Sequence, residues 1–358
     1  MIIKIIMSSY EKLREFLDQF PIGFRKTPSG VEYKILKRLF TEEEAEIATF
    51  LTIRPERART IARRISKDAN IIKEKLESMA KKGLIFRSHR DNQILYNAAP
   101  FMIGLYEYSV KKIDKELAQL YKQYYQEAGL DEIGASNVPG FKVIPLEETI
   151  QTGTTLYPYQ MLKESIKNAR VIAVTDCICR KEAQLLGHGC DHPIETCLSF
   201  GVAAEFYIEN GMGRKISAEE AIRIIKEADD SGLVHAGANS KHLSNICNCC
   251  PCCCVSMKGM TQYGLNKQKY MNAIFESTID GDKCIACGNC VERCPVKAIT
   301  LDEIATIDRD LCLGCGLCAS ICTEKAIHLK VRDNIEEPFD RVLEMGMAIL
   351  DGKRKNEL

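Results

Sequence analysis

Apolar positions between residues 31 and 100 recur first at helical spacing and then alternate, which predicts helices followed by a hairpin. A first helix runs from about Val31 to Phe40. Thr41-Glu42-Glu43-Glu44 reads as a capping box opening a second, because the Thr hydroxyl can take a backbone N–H while Glu44 reaches back. Pro55 suits the first turn of a third, through about Ile65. A fourth, from Asp68 to Lys82, presents Ile72, Leu76 and Met79 on one face and stops at Gly83. Leu84 to His89 and Gln93 to Asn97 read as strands joined across Arg90-Asp91-Asn92. Residues 1–30 read as a polar lead-in that ends at Pro28-Ser29-Gly30. A single long amphipathic helix is expected from Phe101 to Ala128, as a connector or a dimerisation arm, with a linker at Asn137-Val138-Pro139-Gly140.

Beyond residue 141 the pattern becomes α/β. Arg170 to Asp176 is a short apolar run fit for a buried strand, preceded by a helix ending near Asn168. Ser217-Ala218-Glu219-Glu220 is a second capping signature, for a helix that presents Ile222, Ile225 and Ala228 and ends near Gly232. A strand over Leu233–Ala236 follows. Residues 282–329 contain an internal repeat, and Pro338 precedes a last helix over 339–350. The expected layout is a multidomain α+β chain with a winged-helix domain at 1–100, a connecting helix and linker at 101–140 and a cysteine-rich α/β domain at 141–275. A domain holding the internal repeat at 276–331 and a C-terminal helix at 332–358 complete it. The order helix, turn, helix, hairpin carries the first assignment, and Thr60 to Ile85 resembles the winged helices of bacterial and archaeal transcription regulators.

Composition narrows the chemistry. Lys plus Arg and Asp plus Glu both number 49 in 358 residues, so no overall field draws the chain to nucleic acid or an anionic membrane. No apolar run nears the roughly 18 residues of a spanning helix, so membrane insertion is not expected. Met1 to Met7 is too short for a signal-peptide core, and a cytoplasmic location follows as the expectation. All 18 Cys fall between Cys177 and Cys322. Tight Cys-x-x-Cys spacing in a reducing compartment points to metal rather than disulfides.

Cys284, Cys287, Cys290 and Cys294 form C-x2-C-x2-C-x3-C before Pro295, and Cys312, Cys315, Cys318 and Cys322 repeat the spacing 28 residues later. In such runs three thiolates hold one cubane and the fourth ligates the other. One 4Fe-4S cluster is therefore assigned Cys284, Cys287, Cys290 and Cys322, and the second Cys312, Cys315, Cys318 and Cys294. Gly288, Gly314 and Gly316 allow the tight turns around the clusters. The segment resembles bacterial-type two-cluster ferredoxins, with Thr323 in place of the proline that follows the first run. Two zinc sites would use the same ligand type, but the interleaved repeat favours iron.

Ten further thiols lie upstream: Cys177, Cys179, Cys190, Cys197, Cys247, Cys249, Cys250, Cys252, Cys253 and Cys254. His188, His192, His235, His242 and Asp191 share the segment. So many thiols cannot all pack as small hydrophobes, and a subset is expected to hold a third Fe-S cluster or metal ion, iron ahead of zinc. Cys177 follows an apolar strand, where open α/β sheets place ligands, so it could meet the later block in one pocket. Cys177-Ile178-Cys179-Arg180, Gly189-Cys190-Asp191-His192-Pro193, Cys197-Leu198-Ser199-Phe200-Gly201 and Ile246 to Cys254, placed before the repeat, resemble the winged-helix 4Fe-4S ferredoxin-domain proteins of anaerobic bacteria and archaea. That resemblance implies architecture and cofactors.

The first functional reading is a redox protein, an electron-transfer protein or oxidoreductase subunit, in which the two clusters relay electrons to or from the central centre. It would serve a partner oxidoreductase or reduce a small substrate. No nucleotide or flavin fingerprint stands in the sequence, so the electron source is expected to be a redox partner protein. No catalytic residue is assigned, although Arg180 and Lys181 could hold an anionic substrate. The alternative is a redox-sensing regulator that binds DNA through Lys73, Lys81, Lys82, Arg87 and Arg90, since residues 31–100 carry 15 Lys and Arg against 10 Asp and Glu. Glu74 and Glu77 on the presumed recognition helix would repel phosphate, which favours protein or dimer contacts there over DNA.

Overall fold

The computed structural model describes residues 7–157 and 160–356. Residues 1–6, which carry most of the signal-peptide reading, lie outside the described residues. A helix, α1 (Ser9–Leu17), occupies the stretch expected as a polar lead-in. The Ser8 hydroxyl accepts from the Glu11 amide while Glu11 accepts from the Ser8 amide, and Leu13 and Leu17 one turn apart are buried. Nine residues hold too few apolar positions for the helical period to stand out. Next come α2 (Val31–Leu39), α3 (Glu42–Ala48), α4 (Ala58–Ile65) and α5 (Ala69–Lys81). Thr41 and Glu44 form a reciprocal cap on α3. Pro55 does not open α4: the backbone of Glu56 exchanges two hydrogen bonds with Tyr96, of 2.9 and 2.8 Å, which holds the chain extended until Ala58. Strands β1 (Ile85–Arg90) and β2 (Gln93–Ala98) pair across Asp91 and Asn92, both at positive φ as a two-residue hairpin turn requires.

The stretch expected as one helix from Phe101 to Ala128 is broken. Met102, Ile103 and Gly104 leave helical geometry, and a regular helix resumes only at Lys115–Tyr124, where the Asp114 carboxylate accepts the Leu117 amide at 2.9 Å. The segment is no projecting arm. Phe101, Tyr106, Tyr121, Tyr124 and Tyr125 are buried together, with Tyr106 and Tyr121 edge to face at 4.9 Å and Phe24 stacked on Phe101 at 4.3 Å.

Strands β3 (Phe141–Val143), β4 (Ile172–Asp176), β5 (Glu195–Phe200), β6 (Arg214–Ile216), β7 (Val234–Ala238), β8 (Asn245–Cys249) and β9 (Met271–Asn272) form one sheet in the order β6-β4-β5-β8-β7-β3-β9. Every pairing is antiparallel except β3 with β9, so the carboxyl-end rule of parallel sheets does not locate the site. Strand alternation does. Ile172, Val174, Leu198, Phe200 and Ile246 face the helices Leu162–Lys167 and Ala218–Asp230 on one side. The residues between them, Cys197, Cys247 and Cys249 included, point to the other side, where the N-terminal half covers the sheet.

Two small ribbons follow. Strand β10 (Phe275–Ile279) will pair late in the chain, β11 (Ile299–Leu301) joins β12 (Ala305–Ile307), and β13 (Ile327–Val331) returns to β10. The 28-residue repeat is visible in the backbone: Gly288 and Gly316 cap the short helices Asn289–Arg293 and Leu317–Ser320 at φ +81° and +82°, and Lys297 and Lys325 share φ near +50°. The last helix, Val342–Asn356, starts later and runs longer than expected, because it returns to the N-terminal half. There Lys353 is buried against Glu132, which also holds Arg25 at 2.6 Å.

Candidate metal and iron-sulfur sites

The eight C-terminal thiols line two small cavities. Cys284, Cys287, Cys290 and Cys322 surround one, and Cys294, Cys312, Cys315 and Cys318 the other. Each run thus sends its fourth cysteine across to the other run's cavity. Repeat-related amides point at those two crossing thiols: Ala298 N–H donates to Cys294 Sγ at 3.2 Å and Ala326 N–H to Cys322 Sγ at 3.3 Å. Such donors stabilise the thiolates and raise a cluster's potential. The two cavities differ in surroundings. Cys287 is exposed and the neighbouring Ile285 is 64% exposed, whereas Cys312 and Cys318 are buried and Ser277 Oγ lies 3.2 Å from Cys318 Sγ. Leu313, Leu317 and Cys315 belong to the same continuous apolar core as Cys249, Cys254 and Val255 of the central domain. Arg293 fastens the seam by donating to the carbonyls of Asp229 and Asp230.

The ten central thiols separate into two sets. Cys190, Cys250, Cys252 and Cys253 gather so that all four Sγ atoms lie within 4.8 Å of one another. Cys190–Cys250 is 3.9 Å, Cys190–Cys253 3.6 Å and Cys252–Cys253 3.8 Å. The last three come from the turn after β8 and the first from the loop before β5. Ala183, Ala228 and Leu233 pack around the group. Sharing of protons within it pulls the Cys250 thiol down to about 4, chiefly through its bond from Cys253, while burial pushes Cys252 up to about 12.

The other six line one cavity, whose lining Cys250 of the first set also touches. They form a closed ring in which each thiol neighbours two others: Cys177, Cys179, Cys254, Cys249, Cys247, Cys197 and back to Cys177. Strands supply Cys197, Cys247 and Cys249. Cys177 and Cys254 stand at the N-termini of the helices Ile178–Leu185 and Val255–Thr261, where the helix dipole favours a thiolate. Ionisation alternates around the ring, with Cys177, Cys254 and Cys247 held low by a proton donated from a neighbour and Cys179, Cys249 and Cys197 pushed up as the donors. Six thiols facing one space cannot all ionise without a cation among them.

Another part of the same lining comes from the segment read as a helix. Met102, Ile103, Tyr106 and Glu107 contribute it together with Tyr207. Ile103 sits at φ +54°, a conformation that a β-branched residue rarely adopts, and the Glu107 carboxylate holds the turn by accepting the Gly104 amide at 2.8 Å. Burial raises Glu107 to about 8. Tyr106 donates to Glu182 at 2.6 Å, and burial lifts that carboxyl to about 7. None of these wall residues was expected as functional from the sequence. Their only signal was a run of aromatics that also fits an ordinary core.

Arg180 lies between the two thiol sets with no solvent exposure. It is not a surface group awaiting a substrate: it donates to Asn248 O at 2.9 Å and to Thr196 Oγ1, and it lies 3.9 Å from Cys250 Sγ. Burial would lower its pKa, but the thiolates of Cys177, Cys197 and Cys250 outweigh that and hold it charged. Lys181 faces Asp176 at 3.5 Å. The histidines take other places. His235 is buried with Nδ1 2.5 Å from Asn248 Oδ1, while His188 and His242 are exposed and His192 and Asp191 stand outside the four-thiol group. Of the five basic residues considered for DNA, Arg87 pairs with Glu77 and Glu209, each at 3.3 Å, and Lys82 with Glu44 at 2.6 Å. Lys73, Lys81 and Arg90 are exposed.

Residues 277–329 match the 4Fe-4S dicluster domain family. No curated protein and no solved structure matches the chain. The family match and the clustered thiols support iron-sulfur and metal binding, with electron transfer as the general activity. Among the described residues no helix is long and apolar enough to cross a membrane.

Proposed function

We propose that the chain is an iron-sulfur electron carrier that passes electrons through two C-terminal 4Fe-4S clusters to or from a metal centre in its cysteine-rich middle. The observation that carries this reading is the arrangement of the four thiol groups. Among Cys284, Cys287, Cys290 and Cys322 the second is exposed, among Cys294, Cys312, Cys315 and Cys318 two are buried and none is exposed, and the flank of the latter set shares its apolar core with the central ring. A redox partner protein meets the exposed rim at Cys287 and Ile285, and electrons move inward along that series. The helices and hairpin of residues 31–98 are read as a winged helix that serves as a docking module. Its hairpin lies against the Val202–Glu209 helix, with Phe86 and Phe206 at 4.7 Å and Arg87 spent on Glu209, so little of its basic surface is left for phosphate.

Electron counting tests the reading. Each 4Fe-4S cluster takes one electron, so two clusters alone take about 2 per chain. Coulometric reduction of the anaerobic chain is expected to exceed that number. An uptake of two or fewer would leave the central thiols outside the relay.

A further inference from the structure

The ten central thiols invite one collective site, yet their geometry divides them. We infer that they form two centres of different kind: Cys190, Cys250, Cys252 and Cys253 hold a single tetrahedral zinc ion, and the ring of Cys177, Cys179, Cys197, Cys247, Cys249 and Cys254 holds a polynuclear metal-sulfur cluster. The ring half of this inference rests on the central redox centre proposed above. The zinc half does not.

The argument for zinc is metric. A tetrahedron with four Zn–S bonds of about 2.3 Å has S–S edges of about 3.8 Å. The observed separations are 3.9, 3.6 and 3.8 Å, and all four sulfurs lie within 4.8 Å of each other. The donor set is also complete. Four thiols fill a tetrahedral shell with no protein position left over; Cys250 and Cys253 are buried beside apolar Ala183, Ala228 and Leu233, while Cys190 and Cys252 stand on the side nearer the surface. An ion there ties the loop at Cys190 to the turn after β8, two segments without regular structure between them.

The ring follows the opposite logic. Among the described residues no three ligand atoms of His, Cys, Asp or Glu approach within 4.8 Å of one another except in the four-thiol group. The ring thiols are neighbours in pairs around one shared cavity, and because no three of their sulfurs come within 4.8 Å of one another, no one ion binds three of them as they stand. Several ions bridged by sulfide can reach them all. Arg180, a guanidinium with its Nη1 3.9 Å from Cys250 Sγ that also lines the ring's cavity, stands between the two sets. Ile103, Tyr106 and Tyr207 line the same cavity as the ring thiols.

The test is metal and sulfide analysis of the full chain purified anaerobically, with zinc X-ray absorption, beside Cys252→Ser and Cys197→Ser. The unaltered chain should hold about one zinc per chain with four sulfur neighbours at about 2.3 Å. Cys252→Ser should lose zinc at least tenfold and keep its iron and sulfide. Cys197→Ser should lose iron and sulfide together, down to the roughly 8 of each that two cubanes need, and keep its zinc. Loss of iron with sulfide in Cys252→Ser, an iron in the zinc position, or unchanged iron and sulfide in Cys197→Ser would overturn the division. Should a variant fail to fold, the unaltered chain still decides: a zinc shell with fewer than four sulfurs, or total iron of only about 8, refutes it. These readouts count atoms rather than electrons, so failure of the relay alone leaves them standing.

Discussion

A guanidinium wholly removed from water persists only where acceptors and negative charge surround it, and Arg180 has both in Asn248 O, Thr196 Oγ1 and the thiols on either side. Replacing it by Met leaves those acceptors buried and unmatched. We expect Arg180→Met to lower stability by about 3–5 kcal/mol in denaturant melts. A loss under about 1 kcal/mol would show that the thiolates are balanced by other means. Nothing next to Arg180 in the sequence reveals this burial, because the covering strands β5 and β8 arrive from 15 and 65 or more residues away. The repeat offers a second test. Gly314 and Ala286 occupy equivalent positions, both at positive φ, but a Cβ on Gly314 would lie 2.0 Å from Phe275 O. Backbone cannot step aside as a side chain end can. Gly314→Ala should therefore empty the cluster held by Cys312, Cys315 and Cys318, whereas Ala286→Gly should leave iron content unchanged.

Elements were legible where a local chemical signal marked their ends. Thr41 with Glu44, and Ser217 ahead of the Ala218–Asp230 helix, form caps where their spacing predicts them. Thr41→Ala should cost about 1 kcal/mol in thermal or denaturant unfolding, and no loss at all would mean that tertiary packing alone holds α3. Signals faded where long-range packing decided. Glu56 is drawn into a bridge with Tyr96 and delays α4, and the aromatic stripe from Phe101 onward looked like one amphipathic helix although Ile103 breaks it with φ +54°. Strand β8 escaped notice because four of its five residues are Asn or Cys where a strand usually shows branched apolar residues, and β5 because Cys197 and Ser199 alternate with only Leu198 and Phe200. Those same alternating cysteines are what the ring is built from, so the cost of missing the strands was missing the site's division.

The molecule as a whole reads as a graded path. The C-terminal segment was legible as a 4Fe-4S domain, since the repeated cysteine spacing marks it and residues 277–329 match the dicluster family; the assignment of its eight ligands is the one proposed from that spacing, and the two cavities are lined by the same two sets of four. The middle was legible only as an excess of thiols, because which cysteines meet depends on how antiparallel strands align and on loops that close from both sides. Leu313, Leu317 and Cys315 join the same continuous apolar core as Cys249 and Cys254, and in the proposed relay the cluster beside them stands between the surface and the ring. The relay through that buried cluster is the central claim, and Cys294→Ala isolates it by removing the crossing ligand from that cavity alone. The decisive measurement is rapid-freeze EPR of the central cluster after mixing anaerobic chain with a reduced low-potential donor protein. The account predicts that Cys294→Ala slows reduction of the central cluster at least tenfold while the cluster of Cys284, Cys287, Cys290 and Cys322 still reduces at its normal rate. Equal rates of central reduction in the variant and the unaltered chain would contradict it.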